Sequence, residues 1–300
     1  MIQALETEHL SKSYGHLWAL YDCNLRIPTG CVTGLVGPNG AGKTTLLHLA
    51  MGLQMPNSGT IKVLGYSPGK ETKHTLLKTG FVAQEQPLYK TFSVEEMLTL
   101  GRKLNVNWDQ DLALRRLKQL GIPLRQQTRK LSGGQQAQVA LILALAKRPE
   151  LLLLDEPVAS LDPLARRDFQ QTLMDAVMED GLSVIISSHI VADLERICDY
   201  LVILSASRVQ IADKVDRLLQ FHKLLIGPRE RADASADLYT TLTSKEGERQ
   251  CTLLVQTHGP MIDPAWEVRD VSLEDIILAY LSQSSRDRVG SEEMKARVRQ

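Results

Sequence analysis

Gly37-Pro38-Asn39-Gly40-Ala41-Gly42-Lys43-Thr44-Thr45 follows a strand-like run, Val32–Val36, and opens a helix-like stretch over residues 45–53. The order strand, glycine loop, helix predicts an α/β fold. Glycines at 37, 40 and 42 let the backbone turn tightly and aim successive N–H groups inward, where they and the positive end of the following helix cradle phosphates. Lys43 is placed to reach β- and γ-phosphates, and the Thr44 hydroxyl takes the position that holds Mg²⁺ in such loops, so every fixed position of G-x-x-x-x-G-K-[ST] is filled. Residues 37–45 are therefore the candidate nucleotide-binding loop.

The chain's 300 residues suffice for one substantial α/β core with a small appendage. Its 35 basic side chains balance 35 acidic ones, so no global field recruits nucleic acid, and no nucleic-acid partner is expected. Cys23, Cys31, Cys198 and Cys251 lack C-x-x-C spacing and read as reduced packing thiols. The longest apolar stretches, residues 139–146 and 151–154, fall far short of the roughly twenty residues that cross a bilayer. The N-terminus, Met1-Ile2-Gln3-Ala4-Leu5-Glu6, has neither a basic start nor an apolar signal core, so the expected location is the cytoplasm.

Residues 4–27 and 58–66 are β-rich and broken by Pro28-Thr29-Gly30 and Asn57-Ser58-Gly59, which predicts short antiparallel strands beside the core. Two helical patterns follow over residues 93–130. The first opens at Ser93 with Glu96 completing a capping box, and the second rests on Leu112, Leu114, Leu117 and Leu120. Together they form a helical insertion at about 90–135. A helix over residues 135–148, stopped by Pro149, and strands at 151–154, 183–187 and 201–204 then alternate as in a parallel sheet. Past residue 222, the segment 227–250 is polar and turn-rich, 252–256 is strand-like, and a helix from Ser272 places Leu273, Ile276, Ile277, Tyr280 and Leu281 on one face that should dock. The expected organisation is a nucleotide domain over 1–222, a small α+β extension over 223–283 and a solvated tail over 284–300.

Leu151-Leu152-Leu153-Leu154-Asp155-Glu156-Pro157 is a buried-type strand ending in two carboxylates that diverge. Asp155 suits Mg²⁺, and Glu156 suits the attacking water as base or polariser. A second glycine turn, Leu131-Ser132-Gly133-Gly134-Gln135, opens another helix with Ser132 as its N-cap. One nucleotide does not need two such loops.

This pentapeptide, with the phosphate loop, the acidic strand, Ser160-Leu161-Asp162 and His189 in order, resembles the ATP-binding cassette family over about residues 2–215. The resemblance implies a P-loop NTPase core with an antiparallel β subdomain and a helical insertion. ATP and Mg²⁺ are the implied cofactors. It also implies a head-to-tail dimer, homodimer or paralogous heterodimer, in which Ser132, Gly133, Gly134 and Gln135 of one subunit close on the γ-phosphate held by the other. Carried over by position, Tyr14 matches the aromatic that stacks on adenine, Gln84 the glutamine that senses Mg²⁺ and nucleotide, Asp162 the loop that signals between sites, and His189 the switch histidine on the γ-phosphate. The implied catalytic set is Glu156, His189 and Lys43; the implied metal set is Thr44, Gln84 and Asp155. Ala137, Gln138 and Leu143 depart from the glutamine, arginine and arginine common there, which puts the usual salt bridges of that helix in doubt. Residues 271–281 are similar to extensions on bacterial drug-exporter ATPases. The function so implied is the ATPase subunit of a transporter, of exporter type, on the cytoplasmic face of the membrane. Its permease, a separate chain, docks near residues 85–100. Two alternatives stay open: a non-transport cassette ATPase of translation or DNA repair, and a regulatory nucleotide-binding module without turnover.

Overall fold

Along the central strands successive side chains point to opposite faces, and both faces are apolar, so the sheet has to be covered on two sides. The computed structural model, which describes residues 2–85, 88–228, 239–247, 250–257 and 266–283, contains this sheet in the order β5 (Thr79–Val82), β6 (Leu151–Asp155), β7 (Ser183–Ser188), β3 (Val32–Val36), β8 (Tyr200–Ser205), β9 (Arg208–Lys214). All pairs are parallel except β8 with β9. Leu152, Leu154, Val184, Ile186, Leu201 and Ile203 join one apolar cluster, and the alternate residues Leu151, Leu153, Ile185, Val202 and Leu204 join another.

The first cluster is closed by α5 (Gly133–Leu145) and by Phe169, Leu173 and Ala176 of α6 (Pro163–Asp180). The second is closed by Leu46, Leu47 and Leu49 of α1 (Lys43–Ala50) and by an antiparallel sheet of β2 (Leu17–Pro28), β1 (Gln3–Tyr14) and β4 (Ser58–Val63). β1 and β2 have 12 residues each and are not the short strands predicted. His9 and Asp22 take φ of 50°, and the β1–β2 register shifts between Thr7 and Leu10. Such bulges break the period-2 pattern by which a long strand is read. The helix after the loop spans Lys43–Ala50, not 45–53. α5 stops at Leu145 rather than 148, because Arg148 sits at φ 51°, where a helix does not continue.

Between α2 (Thr72–Lys78) with β5 and the start of α5 lies the insertion, α3 (Val94–Leu104) and α4 (Gln110–Gln119). Ser93 and Glu96 form the predicted capping box, and Val94, Leu98, Ala113 and Leu117 pack with Val139 and Ile142 of α5 in a separate core. Buried Arg116 ties α4 to Asp175 (3.2 Å) and Glu179 (2.9 Å) of α6. Arg148 likewise joins Asp109 (2.9 Å), the N-cap of α4, to Asp180 (2.6 Å).

After α7 (Val215–Phe221), β10 (His222–Pro228), β11 (Tyr239–Glu246), β12 (Gln250–Thr257) and β13 (Glu267–Asp270) form a sheet in the order β11-β12-β10-β13. β11 falls in the segment expected to be turn-rich. It buries only Tyr239 and Leu242, so its sequence stayed polar enough to hide the strand. Residues 273–283 are helical (α8), and Leu273, Ile276, Ile277 and Tyr280 enter the same cluster as Phe169 and Leu173, which is where the predicted apolar face docks. The expected tail, 284–300, lies outside the described residues.

Candidate functional site

Parallel strands present all their carboxyl ends on one edge, and open α/β sheets bind ligands there. Residues 37–45 follow β3, Gln84 follows β5, Glu156 follows β6 and His189 follows β7. With Tyr14, Leu17, Trp18 and Ala159 they wall a cavity of about 660 Å³ that takes in Asn39, Gly40, Ala41, Gly42, Lys43, Thr44 and Thr45. A cavity of about 650 Å³ opens at the opposite strand ends, among Ile2, Arg148, Glu150 and Asp180. It is as large but carries no loop of free N–H groups, so chemistry rather than size selects the first.

Gly42 explains the loop's shape. It is the N-cap of α1 at φ 105°, and a Cβ there would stand 2.3 Å from the Ala19 carbonyl oxygen, so only glycine fits. No side chain caps α1, which leaves its first N–H groups to whatever anion occupies the cavity. Lys43 is 4 % exposed. Its Nζ donates to the carbonyls of Gly37 (2.8 Å) and Pro38 (3.3 Å) and pairs with Glu156 Oε1 at 3.2 Å. His189 Nδ1 lies 2.8 Å from Glu156 Oε2 and donates to that carboxylate. Lys43, Glu156 and His189 are thus one chain of charge-assisted contacts. Glu156 itself has φ 45°, a strained conformation for a non-glycine residue.

Asp155 is 2 % exposed and accepts a hydrogen bond at Oδ1 from the Ser187 hydroxyl (2.8 Å). The same hydroxyl accepts the Glu156 N–H at 2.8 Å. Ser187 is not marked by the sequence: it is one of three serines in β7, Ser183-Val184-Ile185-Ile186-Ser187-Ser188, and nothing local sets it apart from the other two. Sequence reasoning also passed over Leu17 and Trp18, which lie beside Tyr14 at the cavity mouth. Tyr14 is half exposed, its hydroxyl bonded to Gln54.

The other predicted residues lie elsewhere. Ser132, Gly134, Gln135 and Asp162 line a separate depression of about 180 Å³ where the N-termini of α5 and α6 meet, with Gly133 between them in sequence. Close approach of the two helices depends on Gly134, whose Cβ would come within 2.6 Å of that of Ala165. Ser132 and Gln135 form a capping box, N–H to Oγ at 3.2 Å and N–H to Oε1 at 3.1 Å. Asp162 caps α6 by accepting from the N–H groups of Leu164 and Ala165, both at 3.0 Å. Gln138 is buried with no hydrogen-bond partner for its amide among the described residues, and ionic links to α6 come from Arg116 of α4 and from Arg148.

Residues 20–159 match the family described as ABC transporter. The chain is 29% identical to the ABC transporter ATP-binding protein YtrB of Bacillus subtilis, over 94% of this chain and 99% of that one. It is 34% identical to the Nod factor export ATP-binding protein I of Rhizobium johnstonii, over 68% and 67%. A dimeric bacterial ABC transporter cassette superposes with a TM-score of 0.63 at 25% identity, over 70% of this chain and 98% of that one. A glycine loop, an acidic strand end and a second helix N-terminus laid out on this fold, in a chain with these relatives, have one reading: the chain belongs to the ABC transporter family, as an ATP-binding subunit that hydrolyses ATP.

Proposed function

We propose that the chain works as a head-to-tail dimer that powers a separate permease at the cytoplasmic face of the membrane, in the direction of export. The observation that carries this is the division of the candidate residues between two surfaces of one chain. The loop, Gln84, Glu156 and His189 wall the large cavity, whereas Ser132, Gly134, Gln135 and Asp162 stand at a separate depression. A second copy, turned head to tail, brings its Ser132 turn to the phosphates held by the first. The likeness to an export ATP-binding protein supports the direction, and no helix among the described residues is long and apolar enough to cross a membrane. Residues 223–283 are proposed as a docked extension of the ATPase domain.

In this reading adenine stacks on Tyr14 and the phosphates take the N–H groups of residues 37–45. Lys43 leaves Glu156 for the β- and γ-phosphates, which frees Glu156 to orient the attacking water and accept its proton. His189 steadies Glu156 and reaches the γ-phosphate. The Thr44 hydroxyl, the Gln84 amide oxygen and the Asp155 carboxylate are hard oxygen donors of the kind Mg²⁺ takes, and they would hold it with phosphate oxygens and water completing the shell. A Mg²⁺ ion held there would supply charge to offset that developing on the phosphate oxygens.

Glu156→Gln tests the hydrolytic role. The amide keeps the shape but cannot take a proton, so ATP binding is expected to persist while turnover falls on the order of 10² or more. Light scattering should show an ATP-stabilised dimer accumulating; near-normal turnover overturns the assignment. Ser132→Arg mixed with Lys43→Ala tests the shared site. Both lesions then fall in one composite site and spare the other, so residual activity above either mutant homodimer is expected. A Ser132→Arg variant that dimerises and hydrolyses like the parent chain ends the head-to-tail proposal.

A further inference from the structure

We infer that Ser187 is a positioning residue for ATP hydrolysis, one hydroxyl that sets both the Asp155 carboxylate and the Glu156 peptide. This rests on the proposed roles of Asp155 and Glu156. Ser187 stands directly opposite Asp155 in the β6–β7 ladder and opposite Leu35 in the β7–β3 ladder. Its neighbours along that face, Leu151, Leu153 and Ile185, are wholly buried and apolar. Ser187 is itself fully buried, a place where an alkyl side chain packs as well and a hydroxyl is costly unless bonded. Here the hydroxyl is bonded twice, donating to Asp155 Oδ1 and accepting from the Glu156 N–H, each at 2.8 Å.

The two bonds act on the parts that need holding. A carboxylate at the end of a buried strand can rotate about its last torsion. Engaging one oxygen of Asp155 settles which way the other faces. Glu156, at φ 45°, keeps its strained backbone only if its surroundings over-determine it. The bond to its N–H contributes to that and so aims the side chain that meets Lys43 and His189. Among the described residues the Ser187 hydroxyl has no hydrogen bond to residues 37–45 or to His189, so its effect passes through the two carboxylate residues.

Ser187→Ala and Ser187→Thr in the full chain test this. The alanine variant removes both bonds, and loss of a hydrogen bond to a charged group predicts a fall in kcat of about tenfold or more, with KM for ATP little changed. Calorimetry without turnover gives a second readout. ADP binding in the absence of Mg²⁺ should match the parent chain, while the Mg²⁺ concentration for half-maximal gain in ADP affinity should rise several-fold. Threonine keeps the hydroxyl and should restore both. A purely structural role would lower the melting temperature and leave the Mg²⁺ requirement unmoved. Parent-like kcat and Mg²⁺ requirement in folded Ser187→Ala, or a threonine variant as impaired as alanine, overturns the inference. Asp155→Asn and Glu156→Gln run in parallel separate the two levels. If they lose turnover and Ser187→Ala does not, only the positioning inference fails; if they retain turnover, the site assignment fails with it.

Discussion

Single residues carry most of the chemistry here, and their environments differ in kind. Gly42 and Gly40 both lie at positive φ, 105° and 78°, in the same loop. A Cβ at 42 would strike the Ala19 carbonyl and Leu20, whereas one at 40 meets nothing within 4 Å. Gly42→Ala is therefore expected to lose ADP binding and to melt at lower temperature, because steric collision adds to a backbone cost of about 1–3 kcal/mol. Gly40→Ala should show only the smaller, conformational part. Calorimetry and thermal melts of the two variants check this, and equal ADP affinity in both would refute the steric account. Lys43 is set by its own loop: its Nζ donates to the Gly37 and Pro38 carbonyls and pairs with Glu156 across the cavity.

At the scale of elements, the insertion is held to the core through α6. Arg116 is only 8 % exposed by its side chain, but its partners Asp175 and Glu179 are 38 % and 55 % exposed, so solvent screens much of the attraction. Arg116→Ala leaves those carboxylates in water rather than stranded in the core. The expected loss is ~1–2 kcal/mol, from the buried aliphatic stem as much as from charge. Since α4 belongs to the insertion and Arg116 lies outside the residues that wall the large cavity, the same variant should loosen α4 in hydrogen exchange while ADP affinity stays at the parent value. A shift in ADP affinity as large as the shift in stability would contradict that separation.

For the whole molecule, the decisive contact is between the extension and the core. His222, at the start of β10, is buried; its Nδ1 is 2.7 Å from the Leu218 carbonyl and its Nε2 is 3.0 Å from the Tyr280 hydroxyl of α8. The carbonyl can only accept, so Nδ1 carries the proton and Nε2 accepts from tyrosine. Burial holds the imidazole below its ordinary value of 6.5 and pushes the Tyr280 phenol up to about 12. The native state thus prefers neutral histidine, while the unfolded chain protonates it below about 6.5. Stability from this group is present above that pH and is lost as pH falls towards the lowered folded value, at most ~1.4 kcal/mol per pH unit for one proton. Melting temperature should fall between pH 7 and 5, and His222→Gln should flatten that slope. An unchanged slope would show that other groups set the acid limb.

Much of this protein was legible in local sequence. The phosphate loop, the Ser93 and Ser132 capping boxes, the acidic strand end and the apolar face of α8 each depend on residues a few positions apart, and backbone sterics and helix periodicity act at that range. The lengths of β1 and β2 and the existence of β11 were not legible, because bulges and polar surface positions remove the alternation that marks a strand. Sequence by itself determined the fold class, the cassette motifs and the residue types available for ATP chemistry. Only the tertiary structure decided that Lys43 meets Glu156, that Ser187 bridges Asp155 and Glu156, and that Ser132 and Asp162 share one depression. Those outcomes depend on β7 lying between β6 and β3 and on Gly134 letting α5 touch α6. Strand order and helix contact join residues tens of positions apart, and no local periodicity records them.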